Sequence, residues 1–459
     1  METKNAGVII IGAGLTGLSM AYFLKRGGLT PLVIETSDRP GGVIKTLNED
    51  GFIYEAGPNT GVLSTAELAA LFDELSDKCT LDTANKDSKK RYIMKGGRWT
   101  AIPSGLFSAV FTPLFTLKDK FRILGEPFRK PGADPDETVA DMVVRRLGRS
   151  YLDYAVDPFI SGVYAGDPSI LVTRYALPKL YALEHNYGSF IRGTIKKSRE
   201  KKSEAEKKAT REVFSSVGGL GGLINALADA TGDENIFCGA TGIRVEPQGK
   251  SFKVIFTGSD GNVFIAEAQT VISTAGSYNL PSLLPFLSED YLSPITNLKY
   301  ARVVQVAAGY KKWNGSKLDA FGGLVPSKEN RNILGILFPS AIFGGRSPEG
   351  GALLSVFLGG MRKPDIMSKS DDEIFNIVLD EIANTLNNSH KPDLLKIFRY
   401  EHAIPQYEKS SGERLEAIKK IEEQYPGLIL AGNIRDGIGM ADRVKQAKQV
   451  ADAVINSRS

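Results

Sequence analysis

At 459 residues the chain is too long for one compact core and long enough to bury a large ligand, so two or three folded units are expected. Its 57 Lys and Arg against 53 Asp and Glu exclude a nucleic-acid surface built on bulk charge, and 42% hydrophobic with 24% charged residues exclude a disordered or fibrous chain. Cys79 and Cys238 are far apart, and His185, His390 and His402 are scattered, so neither a disulfide framework nor a metal site is expected; a reducing, cytoplasmic compartment fits.

The chain opens on strand, turn, helix, strand. Val8 to Ile11 is apolar and leads straight into glycines, unlike the long apolar run of a signal peptide. A helix with apolar periodicity follows from Leu15 to Arg26, then a strand from Leu32 to Glu35. Between them Gly12-Ala13-Gly14-Leu15-Thr16-Gly17 is a G-x-G-x-x-G in which each glycine has a separate task. Gly12 permits the tight turn, Gly14 lets the backbone approach a pyrophosphate, and Gly17 lets the helix sit close to the strand. Glu35, 21 residues after Gly14, ends the second strand, where a carboxylate accepts hydrogen bonds from a ribose and disfavours a 2′-phosphate. NAD and FAD both use such a site, so the motif does not choose between them.

Gly51 to Gly57 reads as a short strand and Ser64 to Leu75 as a helix. From Arg91 to Leu180 short aromatic segments broken by prolines read as mostly helical. Ile102 to Leu117, with Leu106, Phe107, Val110, Phe111, Leu114 and Phe115, is the most apolar long stretch. It is broken by Pro103, Gly105 and Pro113 and is shorter than the roughly 18 to 20 residues that span a bilayer, so it is expected to be buried or to lie on a membrane surface. The mixed-charge run Lys196 to Arg211 reads as solvated surface. Phe252 to Phe256, Val263 to Ala266, Val271 to Thr274, Val303 to Tyr310 and Leu353 to Gly359 alternate like strands. Asp371 to Leu386 reads as a helix, and the chain closes on a strand, Leu428 to Ala431, a glycine turn and a helix, Arg443 to Ile455. The matching first and last segments suggest one nucleotide-binding unit assembled from separated pieces.

Glu35-Thr36-Ser37-Asp38-Arg39-Pro40-Gly41-Gly42 and Phe52-Ile53-Tyr54-Glu55-Ala56-Gly57-Pro58-Asn59 resemble the extended FAD signature of the flavin amine oxidase superfamily. Leu430-Ala431-Gly432-Asn433-Ile434-Arg435-Asp436-Gly437-Ile438-Gly439-Met440 resembles its C-terminal flavin-contacting turn, in which Asp436 is either part of the turn or a helix cap. A glycine turn entering a helix aims N–H donors at a developing anion. Pro158 to Pro168, Leu183 to Ser189 and Ala403 to Tyr407 look like the oxygen-dependent protoporphyrinogen oxidase family, nearly end to end.

That resemblance implies an α/β fold: a Rossmann-type FAD-binding domain (1–85, 213–280, 406–459) with an inserted mixed-sheet substrate domain (281–405) and a helical domain (86–212), like p-hydroxybenzoate hydroxylase. It implies FAD held by Gly12, Ala13, Gly14, Leu15, Thr16, Gly17, Glu35, Thr36, Arg39, Gly42, Gly57, Pro58, Asn59, Thr60, Gly242, Tyr400, Ile438, Gly439 and Met440. Tyr400 stands where the family often has tryptophan, and Gly242 where it usually has valine. Arg91 matches an arginine facing a substrate propionate, a role that suits the bidentate guanidinium. Gly162, Ala165, Phe321, Gly322, Leu324, Leu334 and Phe357 match positions lining the tetrapyrrole pocket. The implied reaction is oxidation of protoporphyrinogen IX by FAD, with oxygen as acceptor and hydrogen peroxide released; no side chain is assigned as acid or base and no metal is expected. Coproporphyrinogen III, an amine or carotenoid substrate, and a non-catalytic flavin- or tetrapyrrole-binding module are the alternatives. A peripheral place on the cytoplasmic face of a membrane and a homodimer stay open.

Overall fold

Four consecutive apolar residues with no polar alternation suit a strand covered on both faces, and Val8–Ile11 is the middle strand of a five-stranded parallel sheet. The computed structural model describes residues 2–201 and 203–458, with residues 2–5, Leu106 and Phe107 described as backbone only. The sheet order is Ile236–Phe237, Pro31–Ile34, Val8–Ile11, Thr270–Ser273, Leu428–Leu430, so strands from four distant parts of the chain lie side by side. Successive side chains of a strand point to opposite faces. Val8, Ile10 and Val33 join a core with helices Leu15–Arg26, Ala66–Glu74, Gly221–Thr231 and Met440–Asn456. Ile9, Ile11, Leu32 and Ile34 join the opposite core, closed by strands Ser251–Thr257 and Val263–Ala268 and helices Glu289–Thr296 and Ser411–Gln424.

A second sheet has seven strands in the order Leu394–Pro405, Tyr300–Tyr310, Ala352–Gly359, Gly335–Leu337, Gly322–Leu324, Arg91–Lys95, Arg98–Ala101. Its pairs are antiparallel except that between Gly322–Leu324 and Arg91–Lys95. One face, with Met94, Val304, Val306, Ile336 and Val356, is sealed by helix Asp371–Leu386. The architecture is thus α/β: a Rossmann-type parallel sheet, a mixed sheet and a helical region.

The helices Leu15–Arg26 and Asp371–Leu386 occupy the residues expected of them. The stretch from Arg91 needs a correction: it is helical only from Leu106 onward, because Arg91–Lys95 and Arg98–Ala101 form a hairpin that completes the second sheet. Gly96 and Gly97, both with positive φ (58° and 73°), make the two-residue turn that a tight hairpin requires. Ile102 to Leu117 is not one buried element either. Leu114 is buried and Phe115 stacks on Tyr151 at 4.1 Å, whereas Val110, Phe111 and Leu117 are exposed.

The helical region has a charged heart. Arg146, fully buried, meets Glu184 and Glu126, the latter 3.2 Å away. Ser189 Oγ and the Phe190 amide donate to Glu126 at 2.5 and 3.0 Å. Arg145 ties Glu184 to Glu137. Removing one partner from such a set strands the others in low dielectric. Arg146→Met should therefore lower stability by about 3–5 kcal/mol in urea unfolding. The exposed Arg149→Ala, which breaks only the pair with Asp153, should cost less than about 1 kcal/mol. Similar losses for both would show that the buried cluster adds nothing.

Candidate dinucleotide and substrate site

The glycine turn is shaped by close backbone contacts. Gly12 has φ +103°, its amide donates to the Ile34 carbonyl at 2.8 Å, and a Cβ there would strike Thr274 Oγ1. A Cβ on Gly17 would collide with the Gly12 carbonyl oxygen. At Gly14, which caps the helix, a Cβ would meet nothing within 4 Å, so space lies open beside the helix start. The first-turn amides of Leu15 and Thr16 have no intrahelical acceptor, and the helix dipole adds partial positive charge. Ala13 is held from both sides: its amide donates to Glu35 Oε2 at 2.6 Å, and its carbonyl accepts from the Gly41 amide at 2.8 Å. Glu35 is buried and also accepts from Thr36 Oγ1 (3.2 Å) and the Ser37 amide (2.8 Å). The Arg39 guanidinium donates to the carbonyls of Pro40, Gly42 and Ile44 at 2.9, 3.0 and 3.0 Å, so it braces the loop carrying Gly42. Gly242, φ +60°, is two residues beyond Ala240, whose amide donates to the Glu35 carbonyl at 2.9 Å.

Two further segments converge on this turn. Gly432 packs against Thr274, the residue that also confines Gly12, which brings the C-terminal turn beside the glycine motif. Gly439 caps the last helix, followed by Met440 and preceded by Ile438; Asp436 is not the cap. The Asp436 carboxylate instead accepts from Gln446 Nε2 (2.6 Å) and Arg443 (3.3 Å). Arg443 is buried, which lowers its pKa, and its Nε has no partner among the described residues. On the other side Gly57, φ +126°, donates its amide to Gln305 Oε1 at 2.9 Å and accepts from Asn59 Nδ2 at 3.2 Å, shaping the loop of Pro58, Asn59 and Thr60. The Tyr400 hydroxyl lies 3.9 Å from where a Gly57 Cβ would stand, and burial pushes its pKa up to about 12.

The residues expected to line a substrate pocket converge by register. Arg91 pairs with Gly322, Gly322 with Leu337 and Leu337 with Ser355, while Ile93, Leu324, Gly335, Phe357 and Gln305 form the next such row. Paired residues share a face, so Arg91, Gly322, Leu324 and Phe357 lie on the face opposite the one sealed by helix Asp371–Leu386. Tyr400, paired with Val303, shares it. Gly162 packs against Leu324 so closely that a Cβ would collide. Ala165 has φ +48° and its carbonyl accepts from the Met361 amide at 2.8 Å. Leu334 is held on the Phe357 carbonyl at 2.7 Å, and the Phe321 ring lies 5.4 Å from the Arg91 guanidinium. Among the described residues Arg91 has no acidic partner.

Sequence reasoning missed Gln305, whose amide links Gly57, the Glu55 carbonyl and Ser355 Oγ. Its signal was a polar residue inside the apolar run Val303-Val304-Gln305-Val306, since a buried amide needs partners. It also passed over Arg443, an arginine on the buried side of the closing helix.

A glycine turn opening one helix, an acid ending the next strand, and a second glycine-capped helix entering from the same parallel sheet define a dinucleotide-binding protein, and the residues present fit FAD. Residues 15–455 match the family model of flavin containing amine oxidoreductase, and the chain belongs to that family and, within it, to the protoporphyrinogen oxidase group. It is 30% identical to protoporphyrinogen oxidase 2, chloroplastic/mitochondrial, of Arabidopsis thaliana, over 98% of this chain and 94% of that one. It is 26% identical to coproporphyrinogen III oxidase of Bacillus subtilis (strain 168), over 99% of each. The crystal structure of a proposed protoporphyrinogen oxidase from Exiguobacterium sp. 255-15 superposes with a TM-score of 0.80 over 100% of both chains, at 22% identity. The protein is an enzyme, an oxidoreductase that uses FAD.

Gly17→Ala should yield folded protein with little or no flavin absorbance, because the new methyl group drives the first helix off the Gly12 turn. Full flavin content in that variant would show that the turn tolerates displacement.

Proposed function

We propose that this enzyme oxidises protoporphyrinogen IX to protoporphyrin IX, late in haem synthesis. FAD held at the glycine turn would supply the two-electron oxidation, which in three rounds would take six electrons and six hydrogens from the macrocycle and pass them to three molecules of oxygen as hydrogen peroxide. The observation that carries the reading is Arg91, a guanidinium without an acidic partner, on the same sheet face as Leu324 and Phe357 and as Tyr400 beside the Gly57 loop. A fork of N–H donors at one end binds a propionate, and apolar side chains along the face bind the ring. Gly162 and Ala165 keep the facing wall low. The chain's part is orientation and exclusion of water, so no acid or base is assigned. The names of the relatives support both protoporphyrinogen and coproporphyrinogen III as substrates of this group.

Arg91→Ala should raise KM for the porphyrinogen by roughly 10- to 150-fold, the loss of one charge-assisted interaction, with a smaller change in kcat. Arg91→Lys should recover part of it. An unchanged KM in both would remove Arg91 from the site. Porphyrinogen should bleach the flavin without oxygen, and air should restore it; a flavin that stays oxidised would mark a binding module instead.

We also propose peripheral contact with a membrane. No helix among the described residues is long and apolar enough to cross one. Val110, Phe111, Leu117, Phe121, Leu124 and Phe128 are nevertheless exposed on helices Leu106–Phe111 and Leu117–Leu124 and the turn after them. Lys118, Arg129, Lys130 and Arg192 lie in or beside this region, a composition suited to anionic lipid. Phe115 does not belong to the surface, since it packs on Tyr151. Wild type should float with anionic liposomes, and a Phe111→Ser, Phe121→Ser, Phe128→Ser variant should not. Wild type that stays at the bottom and sediments as a dimer would assign the face to a second copy.

A further inference from the structure

Beside Ala165 and Leu334, which cluster with Phe357, a cavity of about 220 Å³ opens between the segments 325–334 and 359–363. Its apolar wall is Ala165, Leu334 and Met361, and its polar rim carries Asn330, Asn332 and Lys363. Three cationic side chains line it, but two are already neutralised. Arg331 pairs with Glu381 at 2.7 Å, and Arg362 pairs with Asp157 at 2.5 Å and Asp167 at 2.8 Å. Lys363 has no acid opposite it among the described residues; its ammonium is held on the Arg331 carbonyl at 2.7 Å, which uses one of its three donors. The side-chain amides of Asn330 and Asn332 make no hydrogen bond to protein among the described residues. Asn330 is held at φ +50°, a conformation asparagine tolerates better than most residues. A half-buried ammonium with spare donors, flanked by two amides and backed by an apolar wall, is a receptor for a carboxylate on an apolar stem.

We infer that this cavity is a second carboxylate subsite, in which Lys363 receives a propionate at the edge of the macrocycle opposite Arg91. The inference rests on the porphyrinogen reading and deepens it. Three strand spacings separate Arg91–Lys95 from Ala352–Gly359, about 14 Å across the sheet alone. That span suits carboxylates on opposite edges of a tetrapyrrole. Protoporphyrinogen IX carries its two propionates on one edge and fills only the Arg91 end. Coproporphyrinogen III carries four, on both edges, and fills both ends. Lys363 is therefore a specificity-determining residue that admits coproporphyrinogen III as a second substrate beside protoporphyrinogen IX.

The test compares steady-state oxidation of the two porphyrinogens by FAD-loaded wild type, Lys363→Met and Lys363→Arg, with flavin absorbance per chain confirming intact protein. Loss of Lys363 should raise KM for coproporphyrinogen III about tenfold more than KM for protoporphyrinogen IX, the size of one exposed charge-assisted contact, and Lys363→Arg should restore most of the difference. An equal change for both substrates, or no change for either, overturns the subsite. So does wild type that turns over protoporphyrinogen IX alone. Wild type that oxidises neither substrate above the autoxidation rate instead overturns the porphyrinogen reading itself.

Discussion

The side-chain amide of Gln305 holds the two halves of the site in one frame. It lies in the middle of an apolar strand of the second sheet, buried, and its oxygen accepts the amide of Gly57 while its nitrogen donates to the Glu55 carbonyl. Ser355 on the neighbouring strand receives the second N–H. Every polar atom of the group is thus used, and used across the boundary between the nucleotide-binding segment and the sheet that carries Arg91, Leu324 and Phe357. A buried amide with its partners placed on two units allows little sliding between them. Glu55 adds to the same seam. Its carboxylate, whose pKa burial raises, accepts from Thr46 Oγ1 and the Leu220 amide and faces the buried Arg346.

Charge is distributed unevenly around this frame. At both helix starts, Gly14 and Gly439, the backbone presents donors and partial positive charge, and the buried Arg443 adds a full charge one turn into the second helix. The acids nearby are committed: Glu35 to the Ala13 and Ser37 amides, Asp436 to Gln446 and Arg443. Both helix starts therefore lean toward anions.

The sequence made the nucleotide half legible because that half depends on local rules. A parallel central strand must be continuously apolar, a helix packed against it needs a glycine at the crossing, and the ribose end needs an acid, so Val8–Ile11, Gly17 and Glu35 announce themselves. The second sheet is built on different terms. Its hairpin Arg91–Lys95 and Arg98–Ala101 is short and stands at the edge, and its strand Leu394–Pro405 is half-exposed at the other edge, with Lys396, Arg399 and Glu401 interrupting any alternation. Edge strands carry charge to avoid pairing with other chains, which erases the pattern used to find them. The convergence of Arg91 with Phe357 could not be read at all, since it is created by register between strands some 260 residues apart in the chain. What pointed to those positions beforehand was resemblance to a family.

The order of strands in the parallel sheet has a consequence for how the enzyme is made. Val8–Ile11 is synthesised about 420 residues before Leu428–Leu430, and its sheet is not closed until that strand has been added. At about 5–20 residues per second, the first strand waits for roughly 20 to 80 seconds with its neighbour's neighbour missing. The helix that ends the nucleotide cradle, Met440–Asn456, comes later still and packs directly on Leu15–Arg26. A nascent chain thus holds an incomplete dinucleotide pocket until Leu428–Leu430 and Met440–Asn456 have emerged. A cofactor that binds only the closed sheet stabilises the folded chain by mass action, so flavin concentration and folding are linked.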